Sequence, residues 1–172
     1  MSRRNSLTAL ALSALLTAGL AVGQAGTAAA APAKYTDAQA RKLLKDAGFA
    51  IKSSGGCSNP GERKCTSFQG VNRTTVSGII RFKRISKCAK VRITAGTETG
   101  HSRKGSYRHD NGYKLDISRS DEWVCATRYI KKHFKFTGYR KGDRAAVYTS
   151  VNGNTYALEG DHWDITYFNG SA

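Results

Sequence analysis

Residues 146–168, AVYTSVNGNTYALEGDHWDITYF, alternate apolar and polar side chains in short runs separated by turn residues. Such alternation is typical of strands that bury one face. The Asn152–Gly153 pair indicates a tight hairpin turn. We therefore expect the C-terminal part of the chain to form an antiparallel meander, which begins with KFTGYRKGD at residues 135–143.

Two more strands are predicted upstream of this meander. KVRIT at residues 90–94 and YKLDIS at residues 113–118 show the same alternation. The glycine-rich segment between them is longer than most loops of compact domains, and long loops often carry functional groups. This segment is therefore a candidate location for a functional site.

Three segments favour helices. Thr36 is a suitable N-cap for the following DAQARKLLKDAG, which has an acidic first turn and ends at Gly48. A second helix is predicted from Ser120 to about His133, and residues 72–85 fit a helix better than a strand. Together with the strands, these helices predict an α+β domain with a small antiparallel sheet flanked by helices.

Residues 1–33 have the features of a secretory signal peptide. Arg3 and Arg4 precede an apolar stretch, and an alanine-rich run ends the segment. The apolar stretch, residues 7–22, is shorter than the roughly 20 residues needed to span a bilayer. We therefore predict a secreted protein with no membrane span after signal removal, in which residues 34–172 form a single domain and act as a monomer.

The predicted mature domain is strongly basic. Residues 34–172 contain 26 basic and 12 acidic side chains, a net charge of +14. Such a charge attracts polyanions, which for a secreted protein include anionic cell-wall polymers, acidic lipids and nucleic acid. The basic residues are scattered and form no arginine-rich block, so the sequence does not favour nucleic acid. Solubility alone is the alternative explanation of the charge.

Four cysteines in an exported chain indicate two disulfides, for which three connectivities exist. Cys57 and Cys65 flank a turn-rich loop, SNPGERK, which favours a local bridge between them. The remaining pair is then Cys88 with Cys125. A cysteine zinc site is not favoured, because the chain has no CxxC spacing.

Four residues in the C-terminal half have side chains suited to a metal centre: His109, Asp116, Glu159 and His162. Two imidazoles and a carboxylate can supply three ligands to a zinc ion, and a second carboxylate can act as the base that activates a water. Gly160 and the residue after it are turn formers that would let Glu159 and His162 face the same ion. By spacing alone the signal is weak, because a loop histidine, a strand-end aspartate and hairpin surface residues explain it equally well.

The motif HDNGYKLD, from His109 to Asp116, followed by EGDHW from Glu159, resembles the paired motifs of the zinc D-Ala-D-Ala carboxypeptidase and Hedgehog-type peptidase superfamily. The resemblance covers roughly residues 70–168 in the order of motifs and elements. It implies that His109, Asp116 and His162 bind zinc and that Glu159 is the catalytic base. It also implies a small antiparallel sheet flanked by helices, and hydrolysis of amide bonds in cell-wall peptides.

The chain departs from the family pattern at three places. Tyr107 stands where the family often has a serine, and Lys114 stands where it has a small residue. The stretch AGTE, ending at Glu98, replaces a Ser-Gly-Tyr-Arg motif whose arginine binds the substrate in many members. Because Glu98 reverses that charge, an endopeptidase, or a substrate with an amine near Glu98, becomes more plausible than a strict carboxypeptidase.

Other residues of the glycine-rich loop are candidates for substrate binding. Arg103 or Arg108 could substitute for the missing arginine, and His101 could donate a hydrogen bond to a substrate, although it also fits a plain loop histidine. Trp163 could line the cleft beside His162, but a core position suits this large aromatic residue better.

The sequence thus predicts a secreted zinc peptidase, a carboxypeptidase or endopeptidase, acting on stem or cross-bridge peptides of peptidoglycan. One alternative is a secreted basic ribonuclease in which Glu159 and a histidine act as base and acid. Another is a non-catalytic wall-binding module in which zinc is only structural.

Overall fold

The computed structural model describes residues 33–118 and 123–168. Residues 1–32 of the predicted signal peptide lie outside the described residues, as do Ser120 and the acidic turn expected after it. In chain order the elements are β1 (Lys34–Tyr35), α1 (Asp37–Asp46), β2 (Phe49–Ile51), β3 (Val71–Asn72), α2 (Arg73–Ser86), β4 (Val91–Ala95), β5 (Lys114–Ser118), α3 (Trp123–His133), β6 (Lys135–Tyr139), β7 (Ala146–Thr149), β8 (Thr155–Leu158) and β9 (His162–Thr166).

The predicted meander is present. Strands β6, β7, β8 and β9 are each antiparallel to the next. Gly153 adopts a left-handed φ of 82° in the turn between β7 and β8, where its amide donates to the Ser150 carbonyl at 2.9 Å. A glycine is favoured at this position because it adopts positive φ without steric cost.

The fold is α+β as predicted, but the expectation of a small antiparallel sheet is wrong. Within the described residues the main sheet has seven strands in the order β2-β4-β5-β9-β8-β7-β6, and β1 pairs with β3 in a separate ribbon. Strand β2 is parallel to β4, because the chain crosses over through α2 before it returns to the sheet. Strand β2 has only three residues, too few for its alternation to be recognised in the sequence.

The helices begin and end close to where their sequence signals predict. Thr36 caps α1 in a capping box, in which its hydroxyl accepts from the Gln39 amide at 3.3 Å and its own amide donates to the Gln39 side chain at 3.0 Å. The ambiguous segment at residues 72–85 is confirmed as helix α2. Val76, Ile79 and Phe82 are buried on one face of α2, as the helical period requires.

The period of the strands separates a core face of the sheet from a polar face. On β5 and β9, Leu115, Ile117, Trp163 and Ile165 enter the hydrophobic core. Helix α3 packs against this face, where the Trp163 indole donates to the Thr127 hydroxyl at 3.0 Å. Residues that alternate with these point to the opposite face, and this is where the polar side chains of the candidate site lie.

Both favoured disulfides are confirmed. Cys57 bonds to Cys65 and closes the loop between β2 and β3, and Cys88 bonds to Cys125 and links the end of α2 to α3. Two disulfides fit an extracellular protein. None of the helices in residues 33–118 and 123–168 is long and apolar enough to cross a membrane.

Candidate metal centre

A cleft of about 630 Å³ opens on the polar face of the sheet. Its floor is formed by Lys114, Asp116 and Asp164, which lie on the neighbouring strands β5 and β9. One wall comes from the glycine-rich loop after β4 and the other from the turn between β6 and β7. The cleft therefore collects side chains from segments that are far apart in the sequence.

His109 is buried at the side of this floor and oriented for metal binding. Its Nδ1 atom donates a hydrogen bond to the Gly96 carbonyl oxygen at 2.6 Å, and its Nε2 atom lies 3.3 Å from Asp116 Oδ1. A backbone acceptor on one ring nitrogen fixes the tautomer, so that the other nitrogen offers its lone pair. Gly112, with a φ of 82°, makes the turn that brings His109 back beside β5.

His162 has the same arrangement on the other side of Asp116. Its Nδ1 atom lies 2.6 Å from Asp161 Oδ1, and its Nε2 atom lies 3.5 Å from Asp116 Oδ2. The turn between β8 and β9 is closed by a bond from the Glu159 amide to the His162 carbonyl at 2.9 Å. The turn formers at residues 160–161 thus bring Glu159 and His162 to one side, as the sequence predicts.

The Asp116 carboxylate between the two imidazoles is incompletely satisfied. Asp116 is buried, and its Oδ1 atom has no hydrogen-bond partner among the residues that the structure describes. His109 Nε2 lies 3.3 Å from this oxygen without forming a hydrogen bond to it. A buried oxygen without a partner costs about 1–3 kcal/mol, a penalty that a cation placed between the imidazoles would remove. The Asp116 carboxylate is therefore suited to binding a metal ion.

His101 extends this group. His101, His109 and Asp116 offer ligand atoms within 4.8 Å of one another, so the three could hold a metal ion. However, the His101 and His109 rings are stacked, with centroids 3.8 Å apart and planes inclined by only 14°. An ion in the plane of the His109 ring would lie outside the plane of the His101 ring, in which the lone pair of His101 points. His162 does not belong to this group in the part of the chain that the structure describes, although its Nε2 atom lies 3.5 Å from the other oxygen of Asp116, so it would have to turn towards His109 to share an ion with it.

Glu159 lies beside His162 at the edge of the cleft. Its Oε2 atom is 3.4 Å from His162 Nε2, and its Oε1 atom accepts a hydrogen bond from Arg140. The carboxylate is about a quarter exposed, with 26% of its side chain accessible. Glu159 is thus close to the ligand atoms and reachable by water.

Glu98 does not face a substrate. It is 2% exposed, and its carboxylate accepts hydrogen bonds from the Ser67 amide at 2.8 Å and the Gly96 amide at 3.0 Å. His101 Nε2 lies 3.3 Å from the same carboxylate. The Glu98 carboxylate is thus bound by groups of the protein and not directed at a substrate amine.

Of the remaining predicted substrate-binding residues, Arg108 lines the cleft, whereas Arg103 and Trp163 do not. Arg108 lines the cleft and donates to Asp110 at 2.7 Å, whereas Arg103 is largely exposed outside it, 3.3 Å from the same carboxylate. Trp163 has no exposed surface, so a role in substrate contact is wrong for this conformation and the core interpretation applies. Its backbone pairs across the strands, and its indole points away from the cleft.

Sequence reasoning missed a second group of charged residues in the cleft. Asp164 accepts from the Lys114 ammonium at 2.7 Å and from the Arg140 guanidinium at 2.9 Å. Lys114 precedes Asp116 by two residues and Asp164 follows His162 by two, so the strand period alone places all of them on one face. The lysine that departs from the family pattern thus has a buried partner in this chain.

The charges of the cleft shift the acidity of its histidines. Burial alone would lower the pKa of His109, but the carboxylates of Asp116 and Asp164 and the Gly96 carbonyl together outweigh burial, and the pKa is raised. The pKa of His162 is likewise raised, because Asp116 and then Asp161 overcome the effect of burial. Burial would raise the pKa of Asp164, yet the Lys114 ammonium lowers it. The carboxylates beside the two histidines therefore favour the protonated imidazoles, and a metal ion would have to displace those protons from its ligands.

The geometry brings together two imidazoles and one carboxylate as a ligand set, with a second carboxylate at its side. This arrangement is suited to binding a metal ion and to moving a proton next to it. No family model, no curated protein and no solved structure matches this chain.

Proposed function

We propose that the protein is a secreted zinc peptidase that hydrolyses amide bonds in stem or cross-bridge peptides of peptidoglycan, with a fold of the D-Ala-D-Ala carboxypeptidase and Hedgehog type. The observation that carries the proposal is the position of the ligand atoms. The Nε2 atoms of His109 and His162 both face Asp116, at 3.3 and 3.5 Å, while each Nδ1 atom has an oxygen partner of its own.

The ligand set favours zinc. Two neutral imidazoles and one carboxylate form one of the three-ligand sets that catalytic zinc sites use, with the fourth position left for water or substrate. The oxygen partners of the two Nδ1 atoms are the outer-shell contacts that such histidines require. When bound, zinc supplies a Lewis acid that polarises the scissile carbonyl and acidifies water.

Glu159 is the residue placed to move the proton. Its Oε2 atom lies 3.4 Å from His162 Nε2, so it could accept a proton from the attacking water and return it to the leaving amine. The floor of the cleft is otherwise occupied by ion pairs of the protein. The walls carry Lys104 and Lys141, whose charges suit peptides that bear carboxylates.

The proposed location and substrate agree with two properties of the whole chain. The two disulfides suit an oxidising compartment, and the net charge of +14 for residues 34–172 would hold the domain on an anionic cell wall. The motifs HDNGYKLD and EGDHW support cell-wall peptides as the substrate, because they resemble those of peptidases that cleave such peptides.

The experiment measures bound metal and released peptides together. We expect residues 34–172 to contain one zinc ion per chain by elemental analysis and to release peptides from purified peptidoglycan, detected by mass spectrometry. Glu159→Gln should retain zinc and lose about 100- to 10,000-fold in rate, the usual contribution of a general base. Asp116→Ala should lose both zinc and activity, because it removes a ligand.

A matched control is Glu62→Gln, which neutralises an exposed glutamate of the disulfide loop outside the cleft. The proposal fails if Glu159→Gln cleaves as fast as the unaltered protein. Cleavage of RNA that persists with a chelator would instead identify a ribonuclease. Binding to walls that survives Glu159→Gln, with no peptide released by any form, would identify a wall-binding module with structural zinc.

A further inference from the structure

We propose that Arg140 is a positioning residue that holds Glu159 in its working orientation. This inference rests on the proposed function, because it assigns a role relative to the proposed catalytic base. Arg140 follows β6, in the turn that forms one wall of the cleft. It belongs to none of the motifs that identify the ligand set.

The Arg140 guanidinium is bound by three carboxylates at once. Its Nε atom donates to Asp143 at 3.1 Å, its Nη1 atom donates to Asp164 at 2.9 Å, and its Nη2 atom donates to both Asp143 and Glu159. The hydrogen bond to Asp143 and then those to Glu159 and Asp164 outweigh burial and raise the pKa of Arg140. The guanidinium therefore stays charged while it bridges the floor and the wall of the cleft.

The position of the guanidinium is fixed independently of Glu159. Asp164 is buried in β9 and is also held by the Lys114 ammonium at 2.7 Å, so it is a rigid anchor. Asp143 fixes the other edge of the guanidinium from within the same turn, where its Oδ1 atom also accepts from the Ala145 amide at 3.1 Å. With two anchors, Arg140 presents its remaining donor to Glu159 in one place.

This contact uses one oxygen of Glu159 and leaves the other for chemistry. Oε1 is bound to Arg140, and Oε2 then faces His162 Nε2 at 3.4 Å. Without the guanidinium, the half-exposed turn at residues 159–161 would let the carboxylate rotate towards solvent. Because an error of about 1 Å in the position of a catalytic group can cost about 100-fold in rate, this orientation matters for turnover.

A lysine cannot replace this arrangement. The planar guanidinium offers several donors in fixed directions, whereas an ammonium is a single charge on a flexible stem. We therefore expect Arg140→Ala to lower kcat by about 100-fold while KM and zinc content change little. Arg140→Lys should lie between this variant and the unaltered protein. Added methylguanidinium should restore part of kcat in Arg140→Ala and none in Arg140→Lys, whose side chain fills the space.

Arg144→Ala is the matched control, since it removes an exposed arginine from the same turn that has no hydrogen bond or ion pair to Glu159 among the described residues. This variant should keep the kcat of the unaltered protein. Equal kcat in Arg140→Ala, or a loss in Arg140→Ala that methylguanidinium does not reverse, would overturn the proposal. If Arg140→Ala does not fold, an unchanged kcat in Arg140→Lys would overturn it as well.

A second measurement does not depend on peptidase activity. Methylguanidinium should raise the Tm of Arg140→Ala, because a ligand that binds only the folded state stabilises it. The shift should be smaller in the double variant Arg140→Ala/Glu159→Gln, which lacks the Glu159 charge. If no form cleaves peptides, the proposed function fails while this shift still decides whether the Arg140 position binds a guanidinium through Glu159. An equal shift in both variants would overturn the positioning role.

Discussion

Glu98 connects the buried polar groups beneath the candidate metal centre. Its carboxylate accepts from the amides of Ser67 and Gly96, and the Gly96 carbonyl accepts from His109 at 2.6 Å. His101 contacts the same carboxylate and stacks on the His109 ring. The Glu98 carboxylate therefore holds two groups that orient the His109 ring. One is the backbone at Gly96, and the other is the stacked ring of His101.

We predict that Glu98→Gln weakens both folding and zinc binding. An amide has the same size, but its NH₂ group would face backbone donors and leave at least one of them unpaired. The free energy of unfolding should fall by about 1–3 kcal/mol, as measured by urea denaturation of the metal-free protein. Zinc affinity should fall by about 10- to 100-fold in competition with a chelator, the usual effect of altering an outer-shell partner.

The matching control for this variant is again Glu62→Gln, which changes the same chemical group on the surface. Unchanged zinc affinity in Glu98→Gln would show that Gly96 and His109 keep their positions without the buried charge.

At the scale of elements, the alternation of side chains on β5 and β9 builds the floor of the site. Asp116 and Asp164 are directly opposite each other across the two strands. The apolar residues that alternate with them along each strand enter the core. The sequence predicts this well, because the strand period can be read from each strand alone. Asp116 and His162 follow from this period, whereas His109 lies in the loop before β5 and Glu159 reaches the same side only through the turn at residues 160–161.

The contacts that the sequence could not predict are those between distant elements. Arg140 reaches Asp164 and Glu159 only because β6 returns beside β7 at the far edge of the sheet. In the sequence Glu98 has the features of a loop residue, and nothing there indicates that its carboxylate binds the Ser67 amide. The contacts of Arg140 and Glu98 leave no periodicity or motif spacing in the sequence, because they form only in the tertiary fold.

Gly78 sets the distance between helix α2 and the segment that follows β9. A Cβ atom at this position would lie 2.3 Å from the Tyr167 ring, which is fully buried. Alanine normally stabilises a helix interior relative to glycine by about 0.5–1 kcal/mol. We predict the opposite here: Gly78→Ala should lower the free energy of unfolding by about 1–3 kcal/mol, since the buried ring must shift.

Chemical denaturation of Gly78→Ala measures this loss. The control is Gly61→Ala in the disulfide loop, where the nearest atom to a new Cβ is at an ordinary contact distance of 3.4 Å and the change should be close to neutral. A Gly78→Ala protein that is more stable than the original would show that Tyr167 has room to move.

At the scale of the whole molecule, the net charge acts over longer distances than the ion pairs in the cleft. The net charge of +14 for residues 34–172 acts over the surface, whereas the ion pairs in the cleft act between neighbouring atoms. Exposed charges are screened strongly by salt and buried pairs much less. Binding to an anionic wall and cleavage of a short peptide should therefore respond differently to ionic strength.

We predict that binding to isolated cell walls weakens strongly between about 50 mM and about 500 mM NaCl, while cleavage of a short soluble peptide changes little. Co-sedimentation measures the first and a peptide assay measures the second. Walls stripped of their anionic polymers serve as the control and should bind weakly at all salt concentrations. Salt-independent co-sedimentation with intact walls would contradict an electrostatic attachment.

The loop closed by Cys57 and Cys65 supports the segment that carries His101. The Pro60 carbonyl accepts from the Thr99 amide at 2.8 Å, and the neighbouring Gly100 packs closely on Arg63. A chain that has not yet formed this bridge would lack part of the support for the loop that carries His101 and His109. Because coupling between two sites is reciprocal, a metal ion held in the cleft would in turn protect the Cys57–Cys65 bridge from reductants.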